Sequence, residues 1–197
     1  MRRIAHFTAL LLAIAAFDAS ANEAEVRAAS LEAAEDGLVL NADFAFELSQ
    51  RLEEVVANGV PLYFRVEFEL TRPRWYWLDE KAAARVLQLR LSYHALSRHY
   101  RLSTGLLQQN FTTLEEALNV LKRVRNWLVV DRTATFSDAD YEAAVRLRLD
   151  TSMLPRPFQL SAITSRELQL ESAWKRFTVR PAQSPAPVES RSPQGAR

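Results

Sequence analysis

Four stretches of the chain alternate apolar with mostly polar residues at a period of two, and this pattern constrains the fold more than any other feature. Leu38, Leu40, Ala42, Phe44 and Phe46 alternate with Val39, Asn41, Asp43 and Ala45. Leu62, Phe64, Val66, Phe68 and Leu70 alternate with Tyr63, Arg65, Glu67, Glu69 and Thr71. Leu87, Leu89, Leu91 and Tyr93 are separated by Gln88, Arg90 and Ser92. Tyr141, Ala143, Val145, Leu147 and Leu149 are separated by Glu142, Ala144, Arg146 and Arg148. Successive side chains of a strand point to opposite faces, so each stretch is a strand with one core face and one wet face. One-sided burial is the habit of antiparallel sheets. Phe64, Phe68, Leu89 and Leu147 are expected in one core. The interleaved charges Arg65, Glu67, Glu69, Arg90, Glu142, Arg146 and Arg148 are expected to pair across strands on a solvated face, with Arg65→Ala behaving as a surface change.

Weaker strand candidates lie at 25–33, 98–103, 126–131, 158–163 and 168–179. Turn chemistry at Glu35-Asp36-Gly37, Leu96-Ser97-Arg98 and Ser137-Asp138-Ala139-Asp140 separates several of them. Two short helices interrupt the strands. One spans about 50–57, with Ser49 as N-cap, Leu52, Val55 and Val56 as apolar face, and Asn58-Gly59 as stop. The other opens at Thr113, with Glu116 completing a capping box, and carries Leu114, Ala117, Leu118 and Leu121 to an end near Arg123. The expected class is mainly β with two short helices (α+β). The arrangement expected is an antiparallel two-sheet sandwich, the immunoglobulin fold being one form of it, and an α+β layer with both helices on one sheet is the alternative.

The chain's 197 residues suit a single domain, and 48% hydrophobic content is ordinary for one. A net charge of +1 gives no bulk attraction to nucleic acid, so no nucleic-acid partner is expected. The absence of cysteine excludes disulfides, cysteine nucleophiles and thiolate metal sites. Residues 1–21 read as a signal peptide: Arg2 and Arg3, an apolar run over 4–17, then Ala19-Ser20-Ala21 before Asn22. That run is shorter than the ~20 residues of a spanning helix. A periplasmic location follows, with an inner-membrane anchor formed by the uncleaved segment as the alternative and the only membrane contact expected. Residues 181–197 are rich in proline and serine and are expected to be a disordered tail, leaving a single β-rich domain over 24–180.

The chemistry-bearing patterns are sparse. His94 and His99 lack the third ligand and the spacing of a zinc site, so no metal is expected. None of the four glycines forms a nucleophile elbow or a phosphate-cradling loop, so no cofactor is expected either. The carboxylate pairs Asp79/Glu80 and Asp138/Asp140 fit solvated turns better than a glycosidase site. Packing explains least the run Arg72-Pro73-Arg74-Trp75-Tyr76-Trp77. Proline ends the ladder, and three consecutive rings cannot share one face. Arg72, Arg74, Trp75, Tyr76 and Trp77 are therefore the interaction candidates, of residue types enriched at binding hot spots. The competing reading packs two of the rings over the end of the core.

GVPLYFRVEFELTRPRWYW over 59–77, LSYHALSRHYRLSTGLL over 91–107 and FTTLEEAL over 111–118 together resemble the DUF4390 family of exported proteobacterial proteins. LPRPFQLSA over 154–162 and Leu170-Glu171-Ser172-Ala173-Trp174 extend the resemblance across about 25–180. Leu168 stands where the family pattern is expected to carry tryptophan, which bears on packing. The family has no established activity or site, so the resemblance implies an export signal and a setting beside a membrane sensor kinase, and nothing catalytic. The function expected is a non-enzymatic binding or accessory domain whose partner is an envelope protein, a sensor kinase ectodomain among the candidates. Binding of a small molecule or envelope polymer, and a hydrolase with an unrecognised carboxylate site, are the alternatives.

Overall fold

The computed structural model describes residues 23–73 and 80–181. The expected cleavage residues Ala19, Ala21 and Asn22, the aromatic residues Trp75, Tyr76 and Trp77 with Arg74, and the tail from 182 onward lie outside the described residues. In chain order the elements are β1 (Glu23–Ala34), β2 (Gly37–Ala45), α1 (Gln50–Ala57), β3 (Leu62–Arg72), β4 (Glu80–His94), β5 (His99–Thr104) and β6 (Leu107–Phe111). They continue as α2 (Leu114–Leu121), β7 (Arg123–Asp131), β8 (Tyr141–Leu149), α3 (Arg156–Thr164), β9 (Glu171–Ser172) and β10 (Lys175–Val179).

Strand β3 is central because its alternation is cleanest, with Leu62, Phe64, Val66, Phe68 and Leu70 all buried. It pairs antiparallel with β4 on one side and β8 on the other. The hydrogen-bonded order is β6-β5-β4-β3-β8-β9-β1-β2-β7, and β10 also pairs with β8. Mainly β structure with short helices is therefore what the chain adopts. It departs from the expected antiparallel sandwich, immunoglobulin-like or otherwise, in that the described strands form one curled, mixed path. The two-residue strand β9 causes this. Glu171 faces Arg148 of β8 and also runs parallel to Glu23 of β1, splicing β1-β2-β7 onto the rest. Alternation along a strand specifies its faces but carries no information about such a splice.

Both parts of the path turn their apolar faces to one core. Phe46, just after β2, stacks on Phe64 of β3 with ring centroids 5.9 Å apart. Helix α1 adds Leu52, Val55 and Val56, and α2 adds Ala117, Leu118 and Leu121. At the β1–β2 turn Gly37 has φ +144, and a Cβ there would stand 2.0 Å from the Val130 carbonyl oxygen, so this position admits only glycine. Phe64, Phe68, Leu89 and Leu147 share the core as expected, and Leu168 lies in it at 1% exposure.

Four elements differ from expectation, the first being the stretch 168–179, which breaks into a 3-10 turn ending at Leu168 and the separate strands β9 and β10. Residues 158–163 form part of helix α3, since Phe158, Leu160 and Ala162 mimic a strand period while Pro157 in the first turn favours a helix start. Strand β6 was not expected, having no alternation. Strand β4 begins at Glu80, ahead of the alternation that opens at Leu87, because its first half pairs with β3 while its alanine-rich, largely exposed side chains carry little apolar signal.

Candidate functional site

Strand β1 bulges at Arg27, which has no partner on β2 between the pairs Val26–Phe44 and Ala28–Asp43. Strands β2 and β7 also slip register between Leu40 and Ala42. There Asn126 takes φ +50 and donates its amide to Asn41 Oδ1 at 2.9 Å. Bulges increase local twist and re-aim side chains. Beside these irregularities Arg27, Asp43, Arg123 and Arg125 line one opening.

Arg125 is held firmly. It donates to the carbonyls of Ala42 at 3.0 Å and Val124 at 2.9 Å, and pairs with Asp43 at 2.5 Å. Lys122 is positioned by its own backbone, whose carbonyl accepts the Phe44 amide at 2.8 Å, and its ammonium lies 5.2 Å from the Phe46 ring centroid. The facing wall is the start of α1. Ser49 caps the helix by accepting the Leu52 amide at 3.2 Å, and its hydroxyl also donates to the Glu167 carbonyl, tying the helix to the chain before β9. Between these walls runs a groove of about 1400 Å³. Its ionic groups are of both signs. Arg125–Asp43 and Arg51–Glu54 are paired, whereas Arg27, Lys122, Arg123, Glu25 and Glu47 have no ion-pair partner among the described residues. Sequence reasoning missed this site. Arg125 and Asp43 lie 82 positions apart, and only the Ser49 cap was legible.

The interaction candidates fare differently. Arg72 is committed to structure, donating to Ser137 Oγ at 2.9 Å and pairing with Glu80 at 2.8 Å. The other four candidates lie outside the described residues. His94 and His99 are cross-strand neighbours at the β4–β5 turn, and both ring Nδ1 atoms engage Ser97. Among the described residues no group of three or more His, Asp or Glu side chains converges as metal ligands do.

Most of the expected charges on the wet face do pair across strands, Glu69 with Lys81, Glu142 with Arg176, and Glu67 with Arg146 and Arg148, whereas Arg90 lies 5.9 Å from the Tyr63 ring centroid. Burial pushes the Glu67 carboxyl upward, but hydrogen bonds and charge from Arg148 and Arg146 outweigh it and hold the pKa below its ordinary value. Asp150 is similar. Burial raises it, while Ser152 and then Arg65 bring it below the usual range. Asp140, at the surface, is lowered by its hydrogen bond from Arg180.

A family model described as a domain of unknown function, DUF4390, matches residues 21–178. Neither the curated proteins nor the solved structures compared with the chain give a match.

Proposed function

The chain belongs to the DUF4390 family, and from that footing we propose that it is an exported, non-enzymatic accessory domain which holds a segment of another envelope protein in the groove between β1, β7 and α1. The observation that carries this reading is the groove itself. Small-molecule pockets measure about 300–1,000 Å³ and are mostly apolar, and this groove is larger, with charged walls. Unpaired cations and anions along one groove suit a polypeptide carrying both signs, since complementary potential steers and registers a protein partner. The hydrolase alternative needs a carboxyl with raised pKa. The carboxylates with a resolved shift, Glu67, Asp140 and Asp150, are all shifted downward.

Export rests on the sequence: Arg2 and Arg3, the apolar run and Ala19-Ser20-Ala21. Among the described residues no helix is long and apolar enough to cross a membrane. Cleavage before Asn22 would leave one residue ahead of β1, whose start lines the groove. The sensor kinase ectodomain suggested by the family resemblance is the first partner to test. Trp75, Tyr76, Trp77 and Arg74 are retained as a second contact on sequence grounds.

In-cell photo-crosslinking from position 123 tests the groove. The wild-type groove is expected to trap a discrete envelope partner. Reversing charge with Arg27→Glu and Glu47→Lys, both exposed in the groove, should abolish that adduct while the melting temperature stays within a few degrees, as exposed substitutions do. Unchanged capture by the reversed variant would refute the groove as the binding site. Mass spectrometry of the exported protein should find Asn22 as its first residue.

A further inference from the structure

Open strand edges present unpaired amide and carbonyl groups, and proteins usually defend them with charge, bulges or proline. Most open edges here are defended. The Glu80–Gln88 half of β4, which β5 leaves uncovered beyond Leu89, carries Lys81 and Arg85. Strand β7, last in the path, carries Arg123, Arg125 and the left-handed Asn126. Strand β10 carries Lys175 and Arg176. Strand β6, at the other end of the path, is Leu107-Gln108-Gln109-Asn110-Phe111, with no charge and no proline. Its first four residues are exposed, and Leu106 in the adjoining turn is completely so.

We propose that β6 is the seam of a weak symmetric dimer, in which two copies of this chain pair their β6 strands antiparallel about Gln109 and the sheet continues from one copy into the other. The strand complements itself in that register. Gln109 faces Gln109, Gln108 faces Asn110, and no like charges meet. Leu107, 62% exposed in the single chain, falls opposite Phe111 of the second copy, an aliphatic–aromatic cross-strand pair. Pairing with Tyr100 and Leu102 on β5 puts Phe111 and Gln109 on the same face as those core-facing residues, so the second copy extends an apolar face that now ends at Leu107. A ladder this short buries less than the ~1,200 Å² of a stable interface, so the dimer exchanges and depends on concentration. No β6 residue lines the groove, so the seam and the groove are separate surfaces.

The chain has no cysteine, so Gln109→Cys introduces a single thiol. Directly opposed antiparallel residues have Cβ atoms ~4.5–5.5 Å apart, close enough for a disulfide after slight adjustment. Mild oxidation of the chain lacking its first 21 residues should give a covalent dimer with Gln109→Cys and leave Ala84→Cys, on the β4 edge that keeps Lys81 and Arg85, monomeric. Sedimentation velocity over a dilution series should show reversible self-association of the wild-type chain. Gln109→Lys, which sets two ammonium groups against each other on the axis, should weaken it about tenfold or more with an unchanged circular dichroism spectrum. A wild-type chain monomeric at every concentration, a Gln109→Lys variant that associates as well as wild type, or equal crosslinking from position 84 would each overturn the proposal. So would a Gln109→Cys adduct formed in cells with a different protein in place of a second copy.

Discussion

Glu67 gathers three guanidinium groups in the middle of β3: Arg146 at 2.7 Å, Arg148 at 2.8 Å and Arg65 at 3.7 Å. Arg146 also pairs with Glu171 and lies 4.5 Å from the Trp174 ring centroid, so β3, β8, β9 and the approach to β10 meet around this one guanidinium. Because the folded pKa of Glu67 lies below its unfolded value, its contribution is present above the unfolded pKa of ~4.3 and is lost as pH falls through the folded pKa. Asp150 follows the same sign from ~3.9. Thermal melts should therefore show the midpoint falling as pH drops below about 4, and Glu67→Gln should flatten that fall while lowering the neutral-pH midpoint. Arg65 occupies the wet phase of β3 but is not a free surface residue. It lies 3.4 Å from Asp150, itself only 7% exposed, and its loss leaves that carboxylate with the uncharged donors of Ser152 in place of a counter-charge. Urea titration of Arg65→Ala should show a loss of about 1–2 kcal/mol, more than the ~0.5 kcal/mol of an ordinary surface change.

Helix α2 shows how a short element is made to hold. Thr113 accepts the Glu116 amide at 3.2 Å, and Glu116 returns the bond by accepting the Thr113 amide at 3.3 Å. The helix has eight residues, too few to persist without its caps and its buried face. Thr113→Ala should cost about 1 kcal/mol in urea titration, and adding Glu116→Ala should cost less than the sum of the single changes because both break one box. That box, the Ser49 cap and the strong alternation of β2, β3 and β8 were legible because each is written in neighbouring residues. Strand β6 was not legible, since neither of its faces is fully buried and nothing selects an alternating pattern. Helix α3 looks like a strand in sequence because three apolar residues spaced by two satisfy a strand template, and its first-turn proline is the one local signal against that reading. The groove was out of reach for a different reason. A bulge at Arg27 and a register slip near Ala42 are decided by strand pairing, and the local sequence does not encode who pairs with whom.

At the scale of the whole molecule, the joint at β9 is narrow. Two residue pairs attach it to β1, and one attaches it to β8. A side chain reinforces it where backbone pairing gives out. Ser172, 3% exposed, accepts the Leu147 amide on its hydroxyl at 3.0 Å. Ser172→Ala leaves that buried amide without its acceptor and should cost about 1–3 kcal/mol. The loss should appear in stopped-flow chevrons almost entirely as faster unfolding with the refolding limb unchanged, the signature of contacts absent from the transition state. The reason lies in time. Strand β1 leads the described chain, and the residues that receive its first two positions come almost last, so closing this joint spans one of the longest loops among the described residues. Local hairpins such as β1–β2 and β3–β4 repay their ordering early, whereas this contact repays nothing until the rest is in place. A nascent chain emerging in order can build ribbons and capped helices as it goes. It cannot finish until Glu171 and Ser172 arrive, and until then its first strand stays available to slip, swap or be drawn out again.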